Sequence, residues 1–288
     1  METTLIVGCG YLGRRVAEFL QRANNPVLIT TRRPESVDVL RGHGYAAHEL
    51  DLDAGADFIP PGGPYRVLYL VPPPHYGAQD SRLPRLLSAL RGHPPLRFVY
   101  AGSSAVYGDR QGAWVSETAA VAPQSETAAR RLHAERSLIQ WCSEHGISRV
   151  ILRLAGIYGP RRLPLERLRS ARAAVREAEA AWSNRIHVDD LARACIAALQ
   201  HPSPRTLYNV ADGHPSSSTA FLRAVAERTG LPAAPEVPLR EALAQASPAQ
   251  ARFMLESRRL DVSHMREDLL PDLLFPDYLA GLSAIQDF

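Results

Sequence analysis

The chain has 288 residues, of which 45% are hydrophobic and 22% charged, a composition typical of a globular protein and not of a disordered or fibrous one. All 33 basic residues are arginine, so the chain contains no lysine. This absence excludes a lysine Schiff base, covalently bound pyridoxal phosphate and a phosphate-binding P-loop lysine. A formal net charge of +3 is too small to indicate a nucleic acid partner.

The remaining composition favours a soluble cytoplasmic protein that acts on a small molecule. The three cysteines have no C-x-x-C spacing, which is typical of a reducing compartment and not of a disulfide framework. Met1 leads directly into an apolar strand without a signal-type segment, and no run reaches the ~18 apolar residues of a membrane helix. The ten histidines show no metal-ligand spacing, so no metal site is predicted. Because no apolar run is long enough for a membrane helix, no membrane partner is predicted either.

Short apolar runs alternate with helical patterns along most of the chain. Strands are predicted at residues 5–7, 27–31, 45–50, 67–71, 97–101, 149–154 and 206–210. Helices are predicted at residues 12–22, 36–41, 81–91, 127–145, 163–182, 188–200 and 218–229. This alternation predicts βαβ units and therefore an α/β fold, with a doubly wound parallel sheet covered by helices on both faces.

A glycine-rich turn lies between the first predicted strand and the first predicted helix. Residues 8–13 read GCGYLG, so Gly8, Gly10 and Gly13 occupy the glycine positions of G-x-G-x-x-G, with Tyr11 and Leu12 between them. The first glycine permits the tight turn, the second permits close approach of a pyrophosphate, and the third permits close packing of the helix on the sheet. At the start of a βαβ unit, this motif predicts dinucleotide binding.

The end of the second strand predicts which dinucleotide is preferred. An acid that binds the ribose of NAD normally lies about 20 residues beyond the glycines. Here the chain reads Arg32 and Arg33, and the first carboxylate after the second predicted strand is that of Glu35. Guanidinium groups bind a 2′-phosphate well. The sequence therefore predicts a preference for NADP(H), with NAD(H) left open as the alternative.

The motif and the change in composition along the chain predict two functional parts. Residues 1–155 and 183–212 are expected to form a dinucleotide-binding Rossmann domain. Residues 156–182 and 213–288 are expected to form a small, mostly helical substrate lobe, because the chain becomes rich in proline and alanine after residue 212 with little strand signal. Residues 231–251 read as the most linker-like segment.

Four further motifs carry a family resemblance. They are residues 98–108 (FVYAGSSAVYG), 152–160 (LRLAGIYGP), 186–192 (IHVDDLA) and 207–210 (LYNV). In this order and spacing, they resemble the extended short-chain dehydrogenases/reductases, the NAD-dependent epimerase/dehydratase group. The tail, with SRR at residues 257–259 and FPDY at 275–278, is similar to atypical members of that group.

The resemblance implies roles for individual residues. It implies that the glycine-rich turn holds the pyrophosphate and that Asp51 and Leu52 lie beside adenine. Further cofactor contacts are implied for Val71, Pro72, Ala101, Leu154 and Ala155, of which the last two border the nicotinamide. It implies that Ser103 orients the substrate through its hydroxyl, and it also implies a homodimer formed through helices that flank the sheet.

The chain departs from the family at the Tyr-x-x-x-Lys motif. The glutamate that usually follows the lysine by four residues matches Glu135, which places Arg131 at the lysine position and Thr127 at the tyrosine position. Arg131 could hold the ribose, but threonine cannot replace a phenol as acid or base. The candidates for that proton transfer are therefore Tyr107, Glu126 and His187.

Two functions follow from this reading. The first is an NADP(H)-dependent oxidoreductase or epimerase/dehydratase-like enzyme that acts on a small carbonyl or alcohol, or on a nucleotide-sugar-type substrate. The alternative is a non-catalytic NADP(H)-binding sensor or partner-binding protein, which the missing tyrosine and lysine favour.

Overall fold

A seven-stranded sheet forms the centre of the fold in the computed structural model, which describes residues 2–55, 58–200, 202 and 205–288. The strands are β1 (Thr3–Val7), β2 (Val27–Thr31), β3 (Ala46–Glu49), β4 (Tyr65–Tyr69), β5 (Arg97–Ala101), β6 (Trp114–Val115), β7 (Ser148–Leu154), β8 (Gly156–Tyr158), β9 (Ala174–Val175), β10 (Trp182–Ser183), β11 (Arg185–His187), β12 (Leu207–Val210), β13 (Ser216–Ser217), β14 (Glu236–Val237) and β15 (Arg259–Leu260). The order in the central sheet is β12-β7-β5-β4-β1-β2-β3. The five pairs from β3 to β7 are parallel, which confirms the predicted doubly wound sheet.

The helices follow the strands in the predicted alternation. They are α1 (Tyr11–Arg22), α2 (Pro34–Gly42), α3 (Arg82–Ala89), α4 (Glu126–His145), α5 (Leu165–Arg169), α6 (Val188–Gln200), α7 (Ser218–Thr229), α8 (Leu239–Ala244), α9 (Pro248–Leu255), α10 (Ser263–Asp268) and α11 (Tyr278–Ala284). The longest helix, α4, begins where the Ser125 hydroxyl accepts a hydrogen bond from the amide of Ala128, and it ends at Gly146 with φ of +67°. No helix among the described residues is long and apolar enough to cross a bilayer.

The sheet is stable because its strands bury apolar side chains against the helices. Leu5, Val67 and Phe98 have no exposed surface and pack in one cluster with Leu86 of α3 and Leu138 of α4. A second cluster, which includes no residue of the seven-stranded sheet, contains buried residues of β8, α5, α7 and α11.

The chain separates into two compact units. Unit 1 contains Met1–Val106, Ser125–Arg153 and Ala192–Tyr208, and unit 2 contains Tyr107–Gln124, Leu154–Leu191 and Asn209–Phe288. The units are defined by packing, whereas the lobes expected from the sequence are defined by the ligand that each binds. The predicted assignment of residues 1–155 and 183–212 to the cofactor therefore remains a prediction.

The helix predicted over residues 163–182 is wrong. Only Leu165–Arg169 is α-helical, a single 3-10 turn follows at Glu177–Glu179, and the backbone of Ala171 has φ of +48°. The strand Ala174–Val175 then pairs in parallel with Glu236–Val237. The arginine, glutamate and alanine composition favours a helix locally, but pairing with a distant strand overrides this preference. The linker-like reading of residues 231–251 is also wrong, because this segment contains the strand Glu236–Val237, the helix Leu239–Ala244 and the first half of the helix Pro248–Leu255.

Candidate active site

The turn between β1 and α1 has room only for glycine at two positions. Gly8 has φ of +94°, and a Cβ there would lie 2.9 Å from Cγ2 of Val71. A Cβ on Gly13 would lie 2.9 Å from the carbonyl oxygen of Gly8. Both positions therefore need glycine, the first for its backbone conformation and both for the close approach of neighbouring atoms.

Gly10 meets a different requirement in the same turn. It is the N-cap of α1, and a Cβ there would meet no described atom within 4 Å. Within the described chain, no side chain caps this helix and no acid lies in its first turn. The backbone N–H groups at the start of a helix lack partners within the helix, and they favour an anion. The open space beside Gly10 and the helix start at Tyr11 and Leu12 fit a pyrophosphate.

The end of β2 presents arginine side chains where NAD-binding proteins carry an acid. The side chain of Arg32 is 58% exposed, and its Nη1 lies 3.8 Å from Oδ2 of Asp53. Arg33 is exposed and is the N-cap of α2, whose first residue is Pro34. Two guanidinium groups therefore remain accessible at this edge of the sheet.

An ion pair that the sequence analysis did not predict holds Asp53. Arg82 of α3 donates from Nε to Oδ1 at 2.8 Å and from Nη2 to Oδ2 at 2.5 Å. The hydrogen bond from Arg82 lowers the pKa of Asp53 below its ordinary value. Asp53 is therefore ionised, but its charge is balanced by Arg82 and does not need Arg32 as a partner. The two residues are 29 positions apart, so no local pattern could have connected them.

Arg82 also holds the two segments that contain the residues expected beside the ribose and adenine. Arg82 also donates from Nη1 to the carbonyl oxygen of Pro72 at 2.8 Å. Asp51 accepts a hydrogen bond at Oδ1 from the amide of Asp53, and Leu52 is buried. Through these hydrogen bonds, Arg82 connects the segment after β3 with the segment after β4 within unit 1.

Ala101 and Arg131 meet at the end of β5. Arg131 of α4 donates from Nη1 to the carbonyl oxygen of Ala101 at 3.0 Å. Burial raises the pKa of the neighbouring Tyr100 to about 12, and the charge of Arg131 acts in the opposite direction. Ser103 is half-buried, and its hydroxyl accepts a hydrogen bond from the amide of Ala105. Arg131 is therefore available as a fixed positive charge at the strand end.

The first turn of α4 carries the position where the family has its tyrosine. The side chain of Glu126 is 84% exposed and lies 3.5 Å from Nη1 of Arg130. Thr127 is exposed, and its Oγ1 lies 3.4 Å from Nη2 of Arg130. Arg130 itself is buried and donates to the carbonyl oxygen of Gly77 at 2.6 Å. The loop after β4 therefore touches this turn, a contact that the sequence did not reveal.

Tyr107 lies in unit 2 and is completely buried. Its hydroxyl donates to Oδ1 of Asn209 at 2.7 Å. The side-chain Nδ2 of Asn209 donates in turn to the carbonyl oxygens of Val115 and Asp261. This network favours a positioning role for Tyr107, while its predicted role as acid or base remains a prediction.

His187 is also buried in unit 2, at the end of β11. Its ring packs against Phe275 with centroids 4.0 Å apart and meets the edge of Tyr158 at 5.3 Å. Its Nδ1 accepts a hydrogen bond from the amide of Asp189 at 3.2 Å. Leu154 and Ala155 lie in this unit as well, and both are buried. The structure therefore places these predicted site residues in a packed environment.

Unit 2 also contains a buried carboxylate that the sequence did not single out. Burial raises the pKa of Asp212 to about 7, even though a backbone hydrogen bond from His214 and the charge of Arg185 act in the opposite direction. Arg185 is itself buried over the ring of Phe221, and burial lowers its pKa to about 10. Among the described residues, no group of three or more histidine, cysteine, aspartate or glutamate side chains is arranged to hold a metal ion.

A glycine turn that opens a helix at the centre of this sheet defines a dinucleotide-binding α/β protein of the Rossmann type. A model of the NAD-dependent epimerase/dehydratase family matches residues 4–211. The chain belongs to this family, and the sequence-based resemblance is confirmed.

Two bacterial proteins are similar to the chain in sequence. The chain is 27% identical to Protein YeeZ of Escherichia coli strain K12 over 238 residues, which cover 77% of this chain and 82% of that protein. It is 38% identical over 91 residues to YtcB of Bacillus subtilis strain 168, which is described as an uncharacterized UDP-glucose epimerase. That second match spans 32% of this chain and only 28% of YtcB.

Solved structures share the fold across almost the whole chain. A functionally unknown conserved protein from Silicibacter pomeroyi is 29% identical, with a TM-score of 0.86 over 99% of this chain and 98% of that one. UDP-glucuronic acid 4-epimerase from Bacillus cereus, solved in complex with NAD, is 18% identical, with a TM-score of 0.75 over 98% of this chain and 97% of that one. At that identity, the second likeness shows the fold alone.

Proposed function

We propose that the chain is an NADP(H)-dependent oxidoreductase or epimerase/dehydratase-like enzyme that acts on a small carbonyl or alcohol, or on a nucleotide-sugar-type substrate. The observation that carries the cofactor preference is the exposed pair Arg32 and Arg33 at the end of β2, where NAD-binding proteins carry an acid. The charge of Asp53, whose Oδ2 lies 3.8 Å from Arg32, is already balanced by Arg82.

Each proposed role belongs to residues of known placement. The start of α1 and Gly10 would hold the pyrophosphate, and Arg32 and Arg33 would bind the 2′-phosphate. Val71 and Pro72 would line the ribose, and Arg131 would hold the second ribose near the end of β5. The bound dinucleotide would supply or accept a hydride at a substrate carbon that Ser103 orients through its hydroxyl.

The dissociation constants of NADPH and NADH test the cofactor preference. Fluorescence titration of the full chain is expected to show tighter binding of NADPH. Arg32→Ala is expected to weaken NADPH binding by about 10-fold or more, because charge-assisted hydrogen bonds are lost, and to leave NADH binding unchanged. Arg91, another exposed arginine of unit 1, gives the matched control, and Arg91→Ala is expected to change neither constant. Tighter binding of NADH by the wild-type chain would overturn the preference.

The absence of lysine and the exposed Thr127 favour a second candidate, a non-catalytic NADP(H) sensor or partner-binding protein. A panel of carbonyl compounds and nucleotide sugars separates the two functions. We expect oxidation of bound NADPH by at least one panel member, followed by absorbance at the nicotinamide band. Tight NADPH binding with no oxidation across the panel would favour the sensor instead.

A further inference from the structure

A loop of unit 1 offers the phenol that is missing from position 127. Residues 70–81 connect β4 to α3 and contain His75 and Tyr76. The chain has ten tyrosines, all within the described residues, and Tyr76 is the only one of them that is exposed. Its side chain is 76% exposed, whereas the hydroxyl of Tyr107 is buried and donates to Asn209.

The loop is fixed beside the first turn of α4. Gly77, the neighbour of Tyr76, accepts a hydrogen bond at its carbonyl oxygen from Nη1 of Arg130 at 2.6 Å. The same guanidinium reaches Oγ1 of Thr127 through Nη2 at 3.4 Å. Arg130 is only 3% exposed, so one buried group contacts both the backbone next to Tyr76 and the position of the missing tyrosine.

The other end of the loop is anchored as well. Asp80 is 2% exposed and accepts hydrogen bonds at Oδ1 from the amides of Arg82 and Leu83, which fixes the start of α3. Pro72 is held through its carbonyl oxygen by the side chain of Arg82. The loop is therefore anchored at Pro72 before Tyr76 and at Gly77 and Asp80 after it, and the exposed side chain of Tyr76 is accessible to a ligand.

We propose that Tyr76, supplied by the β4–α3 loop, is the general acid and base that replaces the tyrosine missing at position 127. This inference rests on the proposed enzymatic function. In the reducing direction, the O–H bond of Tyr76 breaks as a new O–H bond forms on the carbonyl oxygen of the substrate. The carbon receives a hydride with its two electrons from NADPH, which is oxidised to NADP⁺, and the Tyr76 phenolate regains its proton from water. In the oxidising direction each transfer is reversed.

The variant Tyr76→Phe tests the chemistry. Because the side chain is exposed, the variant is expected to keep the thermal unfolding midpoint and the NADPH dissociation constant of the wild type. Turnover of the substrate found in the panel is expected to fall about 100-fold or more, which is the usual contribution of a general acid. His75→Gln is the matched control on the same loop, and it is expected to retain turnover.

Arg130 acts through Tyr76 in this proposal and is a positioning residue. Arg130→Gln is expected to lower kcat with little change in the KM for NADPH. On the Arg130→Gln background, Tyr76→Phe is expected to cause much less further loss than in the wild type, because the phenol is no longer positioned. Fully additive losses would overturn the role of Arg130.

A chemical readout tests the placement without turnover. Nitration by tetranitromethane, located by peptide mass, is expected at Tyr76 in the ligand-free chain and is expected to fall several-fold when NADP⁺ and the substrate are bound. Unchanged nitration of Tyr76 would overturn its placement at the site. A wild-type chain that turns over the substrate while Tyr76→Phe retains that rate would overturn the role of Tyr76 alone. A wild-type chain that turns over nothing in the panel would overturn the enzymatic function and this role together.

Discussion

The polar candidate residues of the two units differ in burial and in hydrogen bonding. In unit 1, Arg32 and Glu126 are exposed, and Arg131 is half-buried with a backbone partner. In unit 2, Tyr107 and His187 are buried and their polar atoms are engaged by neighbouring groups. A buried hydrogen-bonded side chain stabilises the fold, whereas an exposed one remains free to bind a ligand. We therefore expect the candidates of unit 1 to contact ligands and those of unit 2 to stabilise the fold of their own unit.

The largest effect is expected from the buried ion pair of unit 1. Arg153 lies 2.8 Å from Glu135 through Nη2, and the two side chains are 7% and 2% exposed. Glu135→Ala leaves the charge of Arg153 without its carboxylate, so the free energy of unfolding is expected to fall by about 3–5 kcal/mol. Urea unfolding of the full chain measures the loss.

The control for this prediction is an exposed pair of unit 2. Arg223 is 51% exposed and lies 2.6 Å from Glu236. Water screens such pairs, so Glu236→Ala is expected to lower the free energy of unfolding by less than about 1 kcal/mol. Equal losses in the two variants would show that burial does not separate the two kinds of pair.

The next effect depends on pH and belongs to Asp212 of unit 2. Burial raises its folded-state pKa to about 7, above the value of about 3.9 expected in the unfolded chain. The folded state therefore binds the proton more tightly, so this contribution is complete below about pH 4 and is lost as the pH rises to about 7. The difference between these two pKa values corresponds to a contribution to the free energy of unfolding of at most about 4 kcal/mol.

Asp212→Asn tests this prediction because it mimics the protonated carboxyl. Urea unfolding at pH 5 and at pH 8 should show a smaller difference in the variant than in the wild type. The charges of Arg185, Asp277 and Arg266 also act on the pKa of this carboxyl, and the substitution leaves all three in place. An equal difference in both chains would assign the pH dependence to another group.

A smaller effect is expected from the hydroxyl of Tyr107. Tyr107→Phe leaves Oδ1 of Asn209 without its donor in a buried position, so the free energy of unfolding is expected to fall by about 1–3 kcal/mol. Thermal and urea unfolding measure this loss, and NADPH oxidation is measured in parallel. Tyr76→Phe should show the opposite pattern, with stability retained and turnover lost. Loss of turnover in Tyr107→Phe at full stability would support the predicted role of Tyr107 as acid or base.

The sequence predicted the features that depend on neighbours along the chain. The glycine turn, the alternation of strands and helices, and the ends of α4 are all local patterns, and the structure confirms each of them. The contact of Arg130 with Gly77 and that of Arg82 with Asp53 join residues 53 and 29 positions apart. No local pattern encodes such contacts. The sequence also does not show which tyrosines are buried, although burial is what distinguishes Tyr107 from the exposed Tyr76.

The smallest stability effect comes from two matched helix caps, one in each unit. The hydroxyl of Ser125 accepts a hydrogen bond from the amide of Ala128 at the start of α4, and that of Ser217 accepts one from Ala220 at the start of α7. Each serine-to-alanine substitution is expected to lower the free energy of unfolding by about 1 kcal/mol. The two variants should differ in turnover, because only α4 carries Arg130 and its contact with the loop of Tyr76. Ser125→Ala is therefore expected to reduce kcat, whereas Ser217→Ala is expected to leave it unchanged. Equal kcat values in the two variants would show that the first turn of α4 does not contribute to turnover.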